Sequence, residues 1–116
     1  MHLRCKRIYD PPAAVDGFRV LVDRLWPRGI TKERAALDLW AKEVAPSNEL
    51  RTAFHRGELG WDSFAEAYEA ELTVNPAVAA LRETVARHEA VTLLYSVNDV
   101  ERNHALLLSR FLAAVD

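Results

Sequence analysis

The chain has 116 residues, half of them apolar and 28% charged, and carries a formal net charge of −2. That length suits a single domain over residues 1–116, with a core of its own and no need of disulfide or metal staples, and the composition argues against disorder. The absence of a basic excess gives nucleic-acid binding no support, although a local basic patch is compatible with it.

The lone cysteine, Cys5, cannot form an internal disulfide. The amino-terminal residues Met1 to Arg7 lack the apolar stretch of a signal peptide. No uncharged apolar run approaches the roughly 20 residues of a membrane span. A cytoplasmic protein with no membrane contact is the expectation.

Leu3 to Tyr9 alternates apolar and basic residues and reads as a strand near a sheet edge. Pro11, Pro12 and Asp16-Gly17 mark a turn. Phe18 to Asp23 is a more continuous apolar run, the pattern of a strand covered on both faces. Pro27 disfavours helix at Trp26, Gly29 permits a sharp turn, and Thr31 can cap a short helical turn. Leu37 to Val44 alternates and is expected to be a third strand, broken by Pro46. Ser47 then stands at an N-cap position before a helix from Asn48 to about His55.

Trp61, Phe64, Tyr68 and Leu72 follow helical spacing. Asn75-Pro76 opens a further helix carrying Val78, Leu81 and Val85. Val91 to Tyr95 reads as a short buried strand. A last helix is expected from Asn98 or Asp99 to about Val115, with Asn98 and Glu101 spaced as a capping box. The order β, β, β, α, α, α, β, α points to a three-layer α/β fold. Its sheet, Rossmann-like, would have about four strands, mostly parallel or mixed. The first two strands are joined by only about ten residues, which is short for a parallel crossover between neighbours. They are therefore expected to be antiparallel or not adjacent.

Polar residues gather after the strands. Asp23, Arg24, Trp26 and Arg28 follow the second, Lys42, Ser47 and Arg51 flank the third, and Tyr95, Ser96, Asn98 and Asp99 follow the fourth. In open α/β sheets ligands bind outside the carboxyl ends of the strands. Arg24, Arg28, Lys42 and Arg51 offer charge-assisted bonds to a phosphate or carboxylate. His104 falls on a stripe with Leu108, Phe111, Leu112 and Val115, so it should face the sheet near those strand ends. It reads either as an acid/base group or as a core histidine satisfied by a backbone carbonyl. Asp23 reads either as a base or orienter, or as one half of a structural ion pair. Trp26 and Trp40 read as pocket walls or as core, and the stripe of Trp61 and Tyr68 as packing. Ser96 follows a strand but lacks the glycines of a nucleophile elbow. Cys5 reads as a small buried hydrophobe.

The histidines show no metal spacing, and there is neither a Walker A loop nor a G-x-G-x-x-G run. No cofactor is implied.

Four stretches together resemble the YeaO-like branch of the family called domain of unknown function 488. They are Lys6 to Asp10, Arg19 to Gly29 with its Val-Asp-Arg-Leu-Trp-Pro-Arg-Gly run, Ala45 to Arg51, and Thr92 to Ser96 with Asn103-His104-Ala105. The resemblance covers nearly the whole chain and implies a Rossmann-like α/β domain of no settled activity. A broader branch of that family places a cysteine after the strand matching Leu93 to Tyr95, and a Cys-His-Arg run near Asn103 to Ala105. Ser96 or its neighbours, Asn103 and Ala105 stand there in this chain, so only His104 carries over and thiol chemistry finds no support.

The resulting expectation is a site for a small anionic, phosphate- or nucleotide-like ligand at the strand ends. Asp23 and His104 are its acid/base candidates. Arg24, Trp26, Arg28, Lys42, Ser47, Arg51, Tyr95, Ser96 and Asn103 are its binding candidates. Hydrolysis or group transfer is the default chemistry, and a non-catalytic protein or nucleic-acid interaction module is the alternative.

Overall fold

The computed structural model describes residues 2–114. Its four strands form one sheet in the order β1-β4-β2-β3: β1 is His2–Arg7, β2 Phe18–Leu21, β3 Leu39–Trp40 and β4 Ala90–Tyr95. Every pairing is parallel. Five helices accompany the sheet: α1 Lys32–Ala35, α2 Asn48–His55, α3 Trp61–Val74, α4 Pro76–Ala86 and α5 His104–Ala113. The three-layer α/β class read from the sequence is therefore the observed one. The short link between the first two strands is explained as well, because β4 lies between them.

Period-two alternation divides the strands between two cores. Val20, Val22, Val91, Leu93 and Tyr95 pack with Leu50, Phe64, Tyr68, Leu81, Val85 and Leu108 from the long helices. Leu21, Leu94 and Ile8 face the other way, onto Ala35 of α1 and the side chains of Trp26, Ile30, Leu37 and Trp40. The sheet thus has a thick helical layer on one face and a thin layer of one helical turn and loops on the other.

That thin side also holds buried charge. Asp16 is 2% exposed and Arg19 5%. Asp16 Oδ2 accepts from the Arg19 guanidinium and from the Ala13 amide, and the Lys6 amine donates to both carboxylate oxygens at 3.0 and 3.1 Å. Arg19 also donates to the Ala35 and Ala36 carbonyls. The next residue, Gly17, has φ of +65°, and a Cβ there would lie 2.3 Å from the Ala90 carbonyl oxygen. Only glycine lets the chain turn from this cluster into β2 so close to β4.

Three expectations need correction. The third strand is not Leu37 to Val44. Only Leu39–Trp40 pairs, and Lys42–Val44 forms a 3-10 turn once the Ala41 amide has bonded to the Leu21 carbonyl. The last helix does not start at Asn98 or Asp99. Asp99 Oδ1 instead accepts from the Glu101 and Arg102 amides, closing a separate turn, and Asn103 caps α5 by accepting from Leu106 N–H. The capping box of Asn98 and Glu101 is accordingly absent. Both early strands are shorter than expected: the first ends at Arg7, short of Tyr9, and the second at Leu21, short of Asp23. The expected helix end at Val115 lies outside the described residues.

Candidate functional site

Chain path creates a crevice. β2 leads into α1 on the thin side, whereas the neighbouring β4 leads into α5, whose Ala105, Leu108 and Leu112 pack in the thick layer. Connections that leave adjacent parallel strands toward opposite faces open a gap at their carboxyl ends. A cavity of about 690 Å³ occupies this gap, within the roughly 300–1,000 Å³ typical of small-molecule sites.

Asp23, two residues past β2, and Ser96, one past β4, meet at its floor. Asp23 Oδ2 accepts from both Ser96 N–H (3.0 Å) and Ser96 Oγ–H (2.6 Å). His104, the first residue of α5, places Nε2 2.9 Å from the Val22 carbonyl oxygen and 3.2 Å from Asp23 Oδ1. A carbonyl only accepts, so Nε2 carries the proton in this arrangement. That proton points at Val22; the Asp23 contact is close charge proximity, and Oδ1 is left without a hydrogen-bond partner among the described residues. His104 thus contacts a backbone carbonyl, with the carboxylate alongside, while it lines the cavity half-buried.

The walls are basic and aromatic. Arg24 is braced across the crevice, donating to the Ala45 and Pro46 carbonyls at 3.1 and 3.3 Å. Arg28 and Arg102 line the cavity and are exposed. On α2, Arg51, Phe54 and His55 share one face at i, i+3 and i+4, and all three line the cavity. The buried Nε of Arg51 has no partner among the described residues. Phe54 stacks on Phe64 at 4.4 Å between ring centres, with Trp61 6.0 Å from Phe54 and 5.7 Å from Phe64. Trp26 lines the cavity, donates to the Ile30 carbonyl and meets Trp40 edge-on at 5.4 Å. Two amide bonds, from Glu101 and Arg102, hold the Asp99 carboxyl below its ordinary range at the rim.

Of the residues singled out in the sequence, Asp23, Arg24, Trp26, Arg28, Arg51, Ser96, Asn103 and His104 surround this one cavity. Asn103 does so with both polar atoms engaged, since Oδ1 caps α5 and Nδ2 donates to the Asp99 carbonyl. Lys42, Ser47 and Tyr95 do not line it. Once the third strand ends at Trp40, the Lys42 amine lies over the Trp40 ring, 4.9 Å from its centre. Ser47 caps α2 and is bonded through N–H and Oγ to the Glu71 carboxylate. Tyr95 points into the thick core, where burial first, and then the nearby Cys5, raises its phenol. Cys5 itself is half-buried, donates to the Ala105 carbonyl, and is pushed up to about 11 by burial.

Tyr9, Phe54, His55, Trp61, Phe64 and Arg102 line the cavity without having been singled out for it. The face shared by Arg51, Phe54 and His55 was visible as helical spacing. Arg102 was hidden by the misplaced helix start. Among the described residues no group of three histidine, cysteine or acidic side chains could hold a metal, and no helix is long and apolar enough to cross a membrane.

Fold and crevice define a small parallel α/β protein with an arginine-rich strand-end cavity. The chain belongs to the DUF488-N3i family, described as the inactive DUF488-N3 subclade, whose family model matches residues 2–115. It is 46% identical over 115 residues to the uncharacterized protein YeaO of Escherichia coli (strain K12), covering 99% of this chain and 100% of the relative. It is 41% identical over 110 residues to the uncharacterized protein Rv3073c of Mycobacterium tuberculosis (strain ATCC 25618 / H37Rv), covering 95% of this chain and 92% of that one. The resemblance to the YeaO-like branch is thus borne out. No solved structure is a significant match to the chain.

Proposed function

We propose that the strand-end cavity binds a small anionic molecule, a phosphate or carboxylate compound, and holds it without transforming it. The observation that carries this reading is a reversal of charge. The chain as a whole is acidic, yet four arginines, Arg24, Arg28, Arg51 and Arg102, line a cavity containing only two carboxylates, Asp23 and Asp99. Guanidinium groups grip phosphate and carboxylate through paired, charge-assisted hydrogen bonds. Arg24 braces the wall, which leaves Arg28, Arg51 and Arg102 to meet the ligand.

The polar centre favours binding over turnover. Ser96 donates its proton to Asp23, and His104 is directed at a backbone carbonyl, so no imidazole is poised to activate the hydroxyl. The description of the subclade as inactive agrees with this. One observation favours the catalytic alternative: Ser96 Oγ lies 2.6 Å from Asp23 Oδ2, close enough for proton transfer.

Thermal unfolding with phosphate, sulfate and citrate, against chloride at matched ionic strength, tests the reading. Millimolar phosphate should raise the midpoint by a few degrees, about what 1 kcal/mol of linkage gives a domain of this size. Arg51→Ala should weaken binding at least about tenfold, the loss of one charge-assisted contact. No response to any anion at 10-millimolar levels, on the order of the weakest useful affinity, rejects it. Turnover of a phosphate ester that Ser96→Ala abolishes would replace binding with catalysis. A steep salt dependence of affinity for nucleic acid would favour an interaction module.

A further inference from the structure

Three buried side-chain polar atoms lack a hydrogen-bond partner among the described residues, and two of them belong to residues that line this one cavity. One is Oδ1 of Asp23, a residue 9% exposed; the other is Nε of Arg51. They do not form an ion pair with each other: the ion pairs among the described residues are Lys6–Asp16, Arg19–Asp16 and the contact of His104 with Asp23. An ionised carboxylate only accepts and a guanidinium only donates. Buried groups of either kind are costly when unmatched. The cavity therefore asks for two complementary things at separate points, an acceptor at Arg51 and a donor at Asp23. Beside Arg51 stand Phe54 and Trp61, backed by the buried Phe64, a surface suited to a flat ring.

We infer that the occupant is a nucleoside monophosphate. The inference rests on the anion-binding reading above. Its phosphate is held by Arg51 with Arg28 and Arg102. Its heteroaromatic ring lies on Phe54 and Trp61, which Phe64 backs from the core. A ribose hydroxyl or a ring N–H donates to Asp23 Oδ1, whose partner oxygen is fixed by Ser96. Inorganic phosphate would match Arg51, and its remaining P–OH could donate to Asp23 Oδ1, but it would leave the ring wall bare. A sugar phosphate would match both polar atoms and leave the ring wall bare. An uncharged nucleoside would leave the arginines unmatched. Of these, the combined molecule answers all three features, and the cavity volume accommodates it.

The test compares inorganic phosphate, ribose 5-phosphate, the four common nucleosides and their 5′-monophosphates by calorimetry. At least one monophosphate should bind about tenfold or more tighter than phosphate, ribose 5-phosphate and its own nucleoside, the gain from stacking one base. Because Trp26 and Trp61 line the cavity, the tight binder should also quench tryptophan fluorescence.

Asp23→Asn would place the amide carbonyl on the Ser96 donors and turn the open acceptor into a donor. It should cost that monophosphate about tenfold, as expected for loss of one buried hydrogen bond. Trp61→Leu, at the first residue of α3, should remove the advantage over ribose 5-phosphate and probes the ring wall without touching Asp23. Phosphate binding with no gain from any monophosphate overturns the inference and leaves the anion reading standing. Silence from phosphate and every monophosphate alike overturns both. A monophosphate advantage that survives Trp61→Leu and Asp23→Asn unchanged also overturns it, because the two named contacts would then contribute nothing.

Discussion

Asp16, Lys6 and Arg19 show how a single residue can anchor one face of this sheet. All three belong to the side away from the long helices, where only α1 and loops cover the strands. Burial by itself would raise the Asp16 carboxyl. The Ala13 amide, Lys6 and Arg19 outweigh that effect and hold it below its ordinary 3.8. A carboxyl depressed in the folded state contributes stability above its unfolded pKa, and that contribution is lost as pH falls through the folded value. The wild type's resistance to urea should accordingly fall below pH 3.8. Asp16→Asn should flatten that acid limb and lower stability at pH 7 by about 3–5 kcal/mol, because Arg19 is left buried beside a neutral group. An unchanged midpoint at neutral pH would show that this cluster does not hold the turn into β2. The sequence hinted at none of this, since Arg19 sits in an apolar run and Asp16 before a glycine reads as an ordinary turn.

Among the elements, α5 depends most on one polar side chain. Its predicted start at Asn98 or Asp99 was reasonable on residue type, because several cap-forming residues crowd residues 98–103. Two caps in fact operate in series. Asp99 closes a turn over Glu101 and Arg102, and Asn103, 3% exposed, caps the helix while donating back to the Asp99 carbonyl. Asn103→Ala should therefore cost about 1–2 kcal/mol, the upper range for a lost N-cap. Chemical denaturation measures it, and a loss under about 0.5 kcal/mol would return Asn103 to the list of ligand contacts rather than caps. The cap also fixes where His104 begins the helix, and so where its ring meets Val22 and Asp23. The third strand was overread for a related reason. Alternation in Leu37 to Val44 satisfies a strand template, but Asp38 accepts from the Arg19 amide and the chain curls after Ala41, leaving two paired residues.

At the scale of the molecule, β4 is the strand on which everything else is registered. It pairs with β1 on one edge and β2 on the other, and Val91 to Tyr95 are all buried. Its amides should show the slowest hydrogen exchange in the protein. Those of residues 24–26, 28–29 and 97–100, in loops at the cavity mouth, should be among the fastest, because few buried contacts restrain them. Exchange in β4 as fast as in those loops would mean that the sheet is not the cooperative unit. Ligand binding should slow the loops at the mouth selectively, since they carry Arg28 and Arg102.

Much of this architecture is written locally. Strand and helix identity, the Ser47 and Asn75 caps, and the grouping of Asp23, Arg24, Arg28 and Ser96 after strands all follow from residue type and spacing, which act over a few neighbours. Strand order, the all-parallel sense of the sheet and the opposite exits of β2 and β4 do not, because they are set by which apolar faces bury together across 70 or more residues. Those long-range choices decide which of the candidate side chains share a cavity. They bring Arg51, Phe54 and Trp61 to the strand ends and leave Lys42, Ser47 and Tyr95 elsewhere. They also leave Asp23 Oδ1 and Arg51 Nε buried without hydrogen-bond partners among the described residues, for whether a polar atom is matched depends on every chain segment that approaches it.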